Sequence, residues 1–193
     1  PIVIDQTGVY GQLEYTFEDA GVDLLFVGRY DDHELYGGNF IPKAAIVKNY
    51  DFGSFRATYG KGIAAPSILN LSGNLFGGLV LGNGEGFTLE NGAVIAPLKV
   101  ETINSYEIGY KGKIAGDKLL LDVNAYYNQS EDFLSPLINI SATSPVATRG
   151  DTPIGELIPG STGAFVLTYL NFGSVDTYGA DLGLNYYFND KHR

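Results

Sequence analysis

Seven stretches of this chain alternate apolar and polar residues with a strict period of two, and each has one wet face and one greasy face. From Gln6 to Phe17 one face reads Thr7, Val9, Gly11, Leu13, Tyr15, Phe17, and the other Gln6, Gly8, Tyr10, Gln12, Glu14, Thr16. Ser105 to Ile114 sets Tyr106, Ile108, Tyr110 and Ile114 against Glu107, Lys111 and Lys113, and Lys118 to Asn128 sets Leu119, Leu121, Val123 and Tyr127 against Asp122, Asn124 and Asn128. Side chains alternate across a strand, so this period predicts β-strands. Strands of about ten residues with one continuous apolar face suit a wall between hydrocarbon and water.

The remaining predicted strands are Val22 to Asp32, Pro42 to Tyr50, Ser54 to Gly62 and a last one from about Thr168 to Phe188. Short turns at Glu18 to Gly21, Asp51 to Gly53, Ala115 to Asp117 and Asn189 to Asp190 alternate with a moderate loop at Asp31 to Ile41 and two long ones at about 63–103 and 131–164. Loops of that length are unusual in a compact soluble domain. Short turns at one rim and long loops at the other fit an antiparallel, up-and-down transmembrane β-barrel. Leu119, Leu121, Val123, Tyr106, Ile108, Leu182 and Leu184 should then face lipid, and Asp122, Asn124, Glu107, Lys111 and Asp181 the interior.

Composition narrows the function classes. With 12 Lys plus Arg against 22 Asp plus Glu, the chain repels phosphate backbones, so nucleic acid is a poor partner. Tyr dominates the aromatics, 14 residues with no Trp, and suits a membrane interface where ring meets lipid and hydroxyl meets water. No Cys is present, which removes disulfides and thiol chemistry. Apolar runs such as Leu119 to Leu121 or Phe165 to Leu167 are far too short for a spanning helix. Crossing by strands demands a closed barrel, because open edges strand backbone donors in lipid. Seven strands is odd where single-chain bacterial barrels are even. Pro1 to Asp5 lacks the pattern of a signal peptide. Both point to a fragment of a larger barrel, one partial domain over 1–193.

Four segments bring out a resemblance. FRATYGKGIAAPS (Phe55 to Ser67), LKVETINSYEIGYKG (Leu98 to Gly112), LDVNAYYNQSEDF (Leu121 to Phe133) and NFGSVDTYGADLGLNYYF (Asn171 to Phe188) are similar to the C-terminal barrel half of TonB-dependent outer-membrane receptors. Val100 stands where that family usually has Pro before Glu101, a change of little weight. The resemblance implies a barrel of about 22 strands in the outer membrane of a Gram-negative bacterium. It further implies a plug domain, which is absent from this sequence, and an inner-membrane energy-coupling complex. The receptor would import a scarce, bulky nutrient such as a siderophore, cobalamin, carbohydrate or peptide.

No catalytic constellation emerges, so an enzyme is not expected, nor a cofactor. His33 and His192 fall in turns predicted at opposite rims. Asp31, Asp32, His33 and Glu34 could hold a cation or simply form a solvated tip. Gly82 to Gly86 lacks the Lys and helix of a phosphate loop, and Ser161 lacks the strand-elbow-helix context of a hydrolase nucleophile. Candidate ligand contacts are the outer-loop residues Phe76, Phe87, Phe133 and Arg149. Candidate lumen-lining residues are Arg29, Arg56, Glu107, Lys111, Asp122 and Asp181, which could equally bond to one another, to water or to a plug. Rival readings are a small, non-energised or structural outer-membrane barrel and a soluble lipid-binding barrel. The soluble barrel inverts the two faces, and alternation alone leaves that choice open.

Overall fold

The computed structural model describes residues 4–114, 118–140, 147–158 and 166–187. The turns predicted at Ala115 to Asp117 and Asn189 to Asp190 lie outside the described residues, as do Ser161 and His192. Seven long strands form one antiparallel sheet in sequence order: β1 (Gln6–Phe17), β2 (Val22–His33), β3 (Gly37–Tyr50), β4 (Gly53–Ala64), β5 (Glu101–Ile114), β6 (Leu119–Leu134) and β7 (Asn171–Tyr186). Each is a period-two segment whose neighbour in sequence is its neighbour in space. Within the described residues β1 and β7 are the two edges and do not pair. A small closed barrel would need that pairing, so closure in lipid calls for further strands.

The Asp31 to Ile41 segment is strand rather than loop: β2 and β3 run on to pair His33 with Gly37, leaving three residues for the turn. Ladder hydrogen bonds along both strands outweigh the local turn signals of Gly37, Gly38 and Asn39. Pairing of β3 with β4 ends at Lys43 and Gly60, one residue short of Pro42, whose nitrogen has no hydrogen to donate. Beyond this point β3 stays paired with β2 as far as Gly37 and His33, while β4 stays paired with β5 as far as Ala64 and Glu101. The second long loop starts after Leu134 and ends before Asn171, later at both ends than its expected bounds.

Register converts the alternation into two continuous faces. One row of partners reads Tyr15, Leu24, Ile46, Ala57, Ile108, Ala125, Ala180, and another Phe17, Val22, Lys48, Phe55, Tyr110, Val123, Leu182. On the opposite face Val47, Arg56, Gly109, Asn124 and Asp181 are aligned. Nothing among the described residues covers the apolar face: Leu13 is 68%, Ile108 64% and Leu182 66% exposed. An apolar sheet face of this extent is untenable in water and suits hydrocarbon.

Aromatic residues bracket the apolar face. Tyr30 and Phe40 mark one boundary on β2 and β3, and Tyr59, Tyr106, Tyr127 and Tyr178 mark it on β4 to β7. The second set sits four residues nearer the short turns. At about 3.3 Å per residue and 4.8 Å per strand, that offset corresponds to strands tilted by about 40° from the normal to the boundary, the tilt of membrane barrels. At the short-turn side Phe17, Phe55 and Tyr110 share one row of partners, with Tyr50 two residues and Tyr186 four residues nearer the turns. On β7 the window from Tyr178 to Tyr186 is eight residues, about 20 Å of height at that tilt. This matches the apolar band of an outer-membrane wall.

The buried core is elsewhere. Leu81, Phe87, Ile140, Ala147, Ile154, Ile158 and Val166 form the apolar cluster, and every one lies in the two long loops. These loops fold together as a cap of two small sheets. In one, Leu167 on the second loop pairs in parallel with Val80 on the first; in the other, Thr148–Arg149 pairs with Phe87–Thr88.

Candidate functional site

Two surfaces can meet a solute: the wet face of the wall and the cap at its long-loop end. Arg29 Nε lies 2.7 Å from Asp31 Oδ2, and the Asp31 side chain is almost fully buried while Arg29 remains open. Arg56 reaches from β4 across β5 to Asn124 on β6, donating from Nη2 to Oδ1 at 2.5 Å. It crosses at Gly109, where an added Cβ would lie 2.4 Å from Asn124 Oδ1 and 2.9 Å from Arg56 Nε. Glycine there is what leaves the bond room. Lys111 and Asp122, partners across β5 and β6, stand 3.5 Å apart. Nearer the short turns, Asp23 accepts from Thr16 Oγ1 and from Asn49 Nδ2, each at 2.8 Å.

Four of the six lumen candidates are thus tied to a neighbour. The solvent-open Lys111–Asp122 pair contributes about 0–1 kcal/mol, so its effect is to fix side-chain positions rather than to hold the wall. Glu107 and Asp181 are exposed and have no polar partner among the described residues. Glu107 shares a 480 Å³ depression with Lys43, Arg56, Thr58 and Ser105. These groups give the face a mixed charge suited to a hydrated solute or a polar protein surface.

The cap separates the four ligand candidates. Phe87 is 1% exposed and packs at the cap centre. Its expected ligand contact is corrected on that ground, because the ring is fully covered by protein. Phe76 is 82% exposed at the tip of a hairpin and has a φ of 54°, beside Gly77 and Gly78, which also have positive φ. A bulky residue in this region is strained, by about 1–3 kcal/mol. Phe133 is half-buried where β6 leaves the wall, paired with Phe172. Arg149 is largely buried, 3.6 Å from Glu85, and its Nε and Nη1 lack hydrogen-bond partners.

The acidic cluster has other work. Asp31 pairs with Arg29, Glu34 accepts from the Asp5 amide at 3.1 Å, and His33 stacks on Tyr36 and accepts from the Leu35 amide through Nδ1. No group of potential metal ligands occurs among the described residues. The Gly82 to Gly86 run packs against a short helix, Ile68–Ser72, with Gly84 N–H donating to Leu71 O at 2.7 Å. A Cβ on Gly84 would lie 2.8 Å from that oxygen, so the glycine serves close packing.

Sequence reading missed a collar joining wall to cap. Asn171 accepts from the Lys99 amide at 2.7 Å and donates to the carbonyls of Lys99 and Asp132. Glu101 accepts from the Leu134 amide at 2.6 Å. Asp132 and Gly173, opposite each other across β6 and β7, have φ of 58° and 65° and interrupt the ladder. The sequence signal was slight: a glycine in one strand and an aspartate at the facing position.

A family model described as TonB dependent receptor-like, beta-barrel, matches residues 2–191. The chain belongs to the TonB-dependent receptor β-barrel family. Solved structures agree at the level of fold. A ferric enterobactin receptor (PfeA) mutant from Pseudomonas aeruginosa superposes with a TM-score of 0.67 at 16% identity, covering 96% of this chain and 25% of that one. The siderophore receptor PirA from Pseudomonas aeruginosa gives 0.62 at 14%, covering 93% and 28%. The FrpB iron transporter from Neisseria meningitidis gives 0.61 at 16%, covering 95% and 24%. The chain spans about a quarter of the length of these proteins. No curated protein sequence matches it. Family members are outer-membrane receptors and transporters of Gram-negative bacteria, and the TonB-dependent receptor wall described here has the corresponding two faces.

Proposed function

We propose that the full receptor containing this wall imports a scarce, bulky nutrient across the outer membrane, energised through a plug domain and the TonB complex. The observation that carries the reading is the pairing of an uncovered apolar face with a polar face, under a cap cored by both long loops. Lipid covers the first face, solute and plug move along the second, and the cap presents ligand-contacting groups. Within the cap, Phe76 is the proposed contact, supported by its exposure and its strained backbone. Arg149, beside Glu85, is proposed to support that surface from below. Among cargoes, a ferric siderophore is favoured because siderophore and iron receptors recur among the structural neighbours, at identities that speak for fold. Cobalamin, carbohydrate and peptide remain the alternatives of this proposal.

Uptake by cells that carry the full receptor tests it. Labelled ferric siderophores should enter only when the inner membrane is energised, and Phe76→Ser should weaken binding by about 1 kcal/mol or more, as expected for an exposed aromatic anchor. Uptake indifferent to membrane energy would refute the energised importer. Unchanged binding by Phe76→Ser would remove Phe76 from the site.

A further inference from the structure

On β3 the apolar face carries one charged side chain between Phe40 and Tyr50, Lys48, level with the aromatic row of Phe17, Phe55 and Tyr110 at the short-turn edge of the band. Its neighbours in the row are Val22 and Phe55. The amine donates to the Ala20 carbonyl in the β1–β2 turn and lies 5.1 Å from the Tyr50 ring centroid. A carbonyl and a ring leave the ammonium charge without a counter-ion, and no carboxylate of the described residues stands within ion-pair distance. A lone cation on a face that meets hydrocarbon is costly unless an anion comes to it.

An apolar groove of about 440 Å³ starts at Lys48 and runs over Ala57 and Ala125 between walls of Ile46, Phe55, Ile108 and Tyr110. A second groove of about 490 Å³ adjoins it at Ile46 and Ala57. In the other direction lie the turns: exposed Glu18 and Asp19 beside Ala20, and exposed Asp51 after Tyr50. Asn49 N–H donates to Gly21 O at 2.8 Å, which holds the two turns side by side. From the middle of the wall outward the order is therefore hydrocarbon groove, cation, carboxylates.

We propose that this is a binding site for an aminophospholipid of the periplasmic leaflet, of the phosphatidylethanolamine type. One acyl chain lies in the groove, the phosphate meets the Lys48 ammonium, and the lipid's ammonium meets Glu18, Asp19 or Asp51. The headgroup presents phosphate and then amine in the same depth order as the protein presents their partners. A phosphatidylglycerol headgroup offers the phosphate but no cation, and so sets a net negative charge against three carboxylates. The inference rests on this face being lipid-facing.

Native mass spectrometry of the detergent-extracted full receptor, given phosphatidylethanolamine and phosphatidylglycerol of equal chain length, tests the site. Wild type should retain a phosphatidylethanolamine adduct, and Lys48→Gln should weaken its retention about tenfold, the scale of a lost charge-assisted contact. Lys48→Arg should keep it. Ala57→Phe, which fills the groove and leaves Lys48 intact, should also lose it, so the outcome does not hang on one variant's folding. Glu18→Gln with Asp19→Asn should abolish the preference over phosphatidylglycerol. Equal retention of phosphatidylethanolamine and phosphatidylglycerol by wild type, or unchanged retention in Lys48→Gln, would overturn the proposal while leaving the barrel reading intact. A receptor that failed to insert in bilayers would instead refute the barrel reading.

Discussion

Leu182→Arg puts the lipid-facing assignment at greatest risk. Leu182 is four residues from Tyr178 and four from Tyr186 on β7, with 66% of its surface exposed and no group of the described residues over it. Four residues at about 3.3 Å and a tilt of about 40° place it about 10 Å inside either boundary, near the middle of the hydrocarbon. An arginine there costs about 2–4 kcal/mol in a barrel wall, or about 30- to 1,000-fold in the folding equilibrium. Moving the same arginine to Tyr186, at the boundary, should reduce the cost to about 0–1 kcal/mol. Asp181→Asn, one residue from Leu182 on the wet face, should cost little. Denaturant titrations of the full receptor folding into lipid vesicles measure all three. A profile with Leu182→Arg near zero, or with Asp181→Asn the most damaging, would refute the assignment of the two faces.

Two further outcomes separate the parts of the structure. Leu81→Ala empties the centre of the cap, where Leu81 is fully buried, and should destabilise it by about 2–5 kcal/mol. Limited proteolysis of intact cells should then cut within residues 63–103 or 135–170, while the heat stability of the barrel stays at the wild-type value. Gly109→Val puts a side chain where Arg56 and Asn124 meet and should cost about 1–3 kcal/mol by overcrowding, with Arg56→Ala in the same chain recovering part of it; chemical denaturation of the two variants decides this.

The wall was legible because its chemistry repeats every two residues. A slip of one residue would turn Leu119, Leu121 and Val123 to the wet side, so the pattern specifies register as well as strand. Rows of Tyr and Phe could be paired only once register was known, and with them came the tilt. The cap was illegible for the opposite reason. Its strands are two residues long, such as Val80–Leu81, Phe87–Thr88 and Leu167–Thr168, and a period cannot be read from two residues. Their partners lie up to 87 positions away, as with Thr168 Oγ1 donating to the Leu81 carbonyl. Phe87 accordingly reads as a loop aromatic in sequence and as core in space. Lys48 was hidden differently: it sits in phase with the apolar row, and a single charge in a pattern looks like noise until its neighbours are known.

Two stabilising regimes meet in this chain, and the collar at Asn171 is where they change over. Below it, backbone ladders hold the strands and side chains bury little against one another; above it, seven buried apolar residues pack as they do in a soluble domain. Strands that continued straight would project β6 and β7 away from the wall as a bare ribbon in water. Asp132 and Gly173 break the ladder together, at facing positions, with both backbones in the left-handed region. Because both strands carry the interruption, the register before and after it is the same, and Phe133 still meets Phe172. The ribbon can therefore be re-aimed without sliding, and Asn171 fastens the new direction to the Lys99 backbone just before β5 begins. Both loops thus leave the wall from one fixed point, which is what lets residues far apart in sequence share a core.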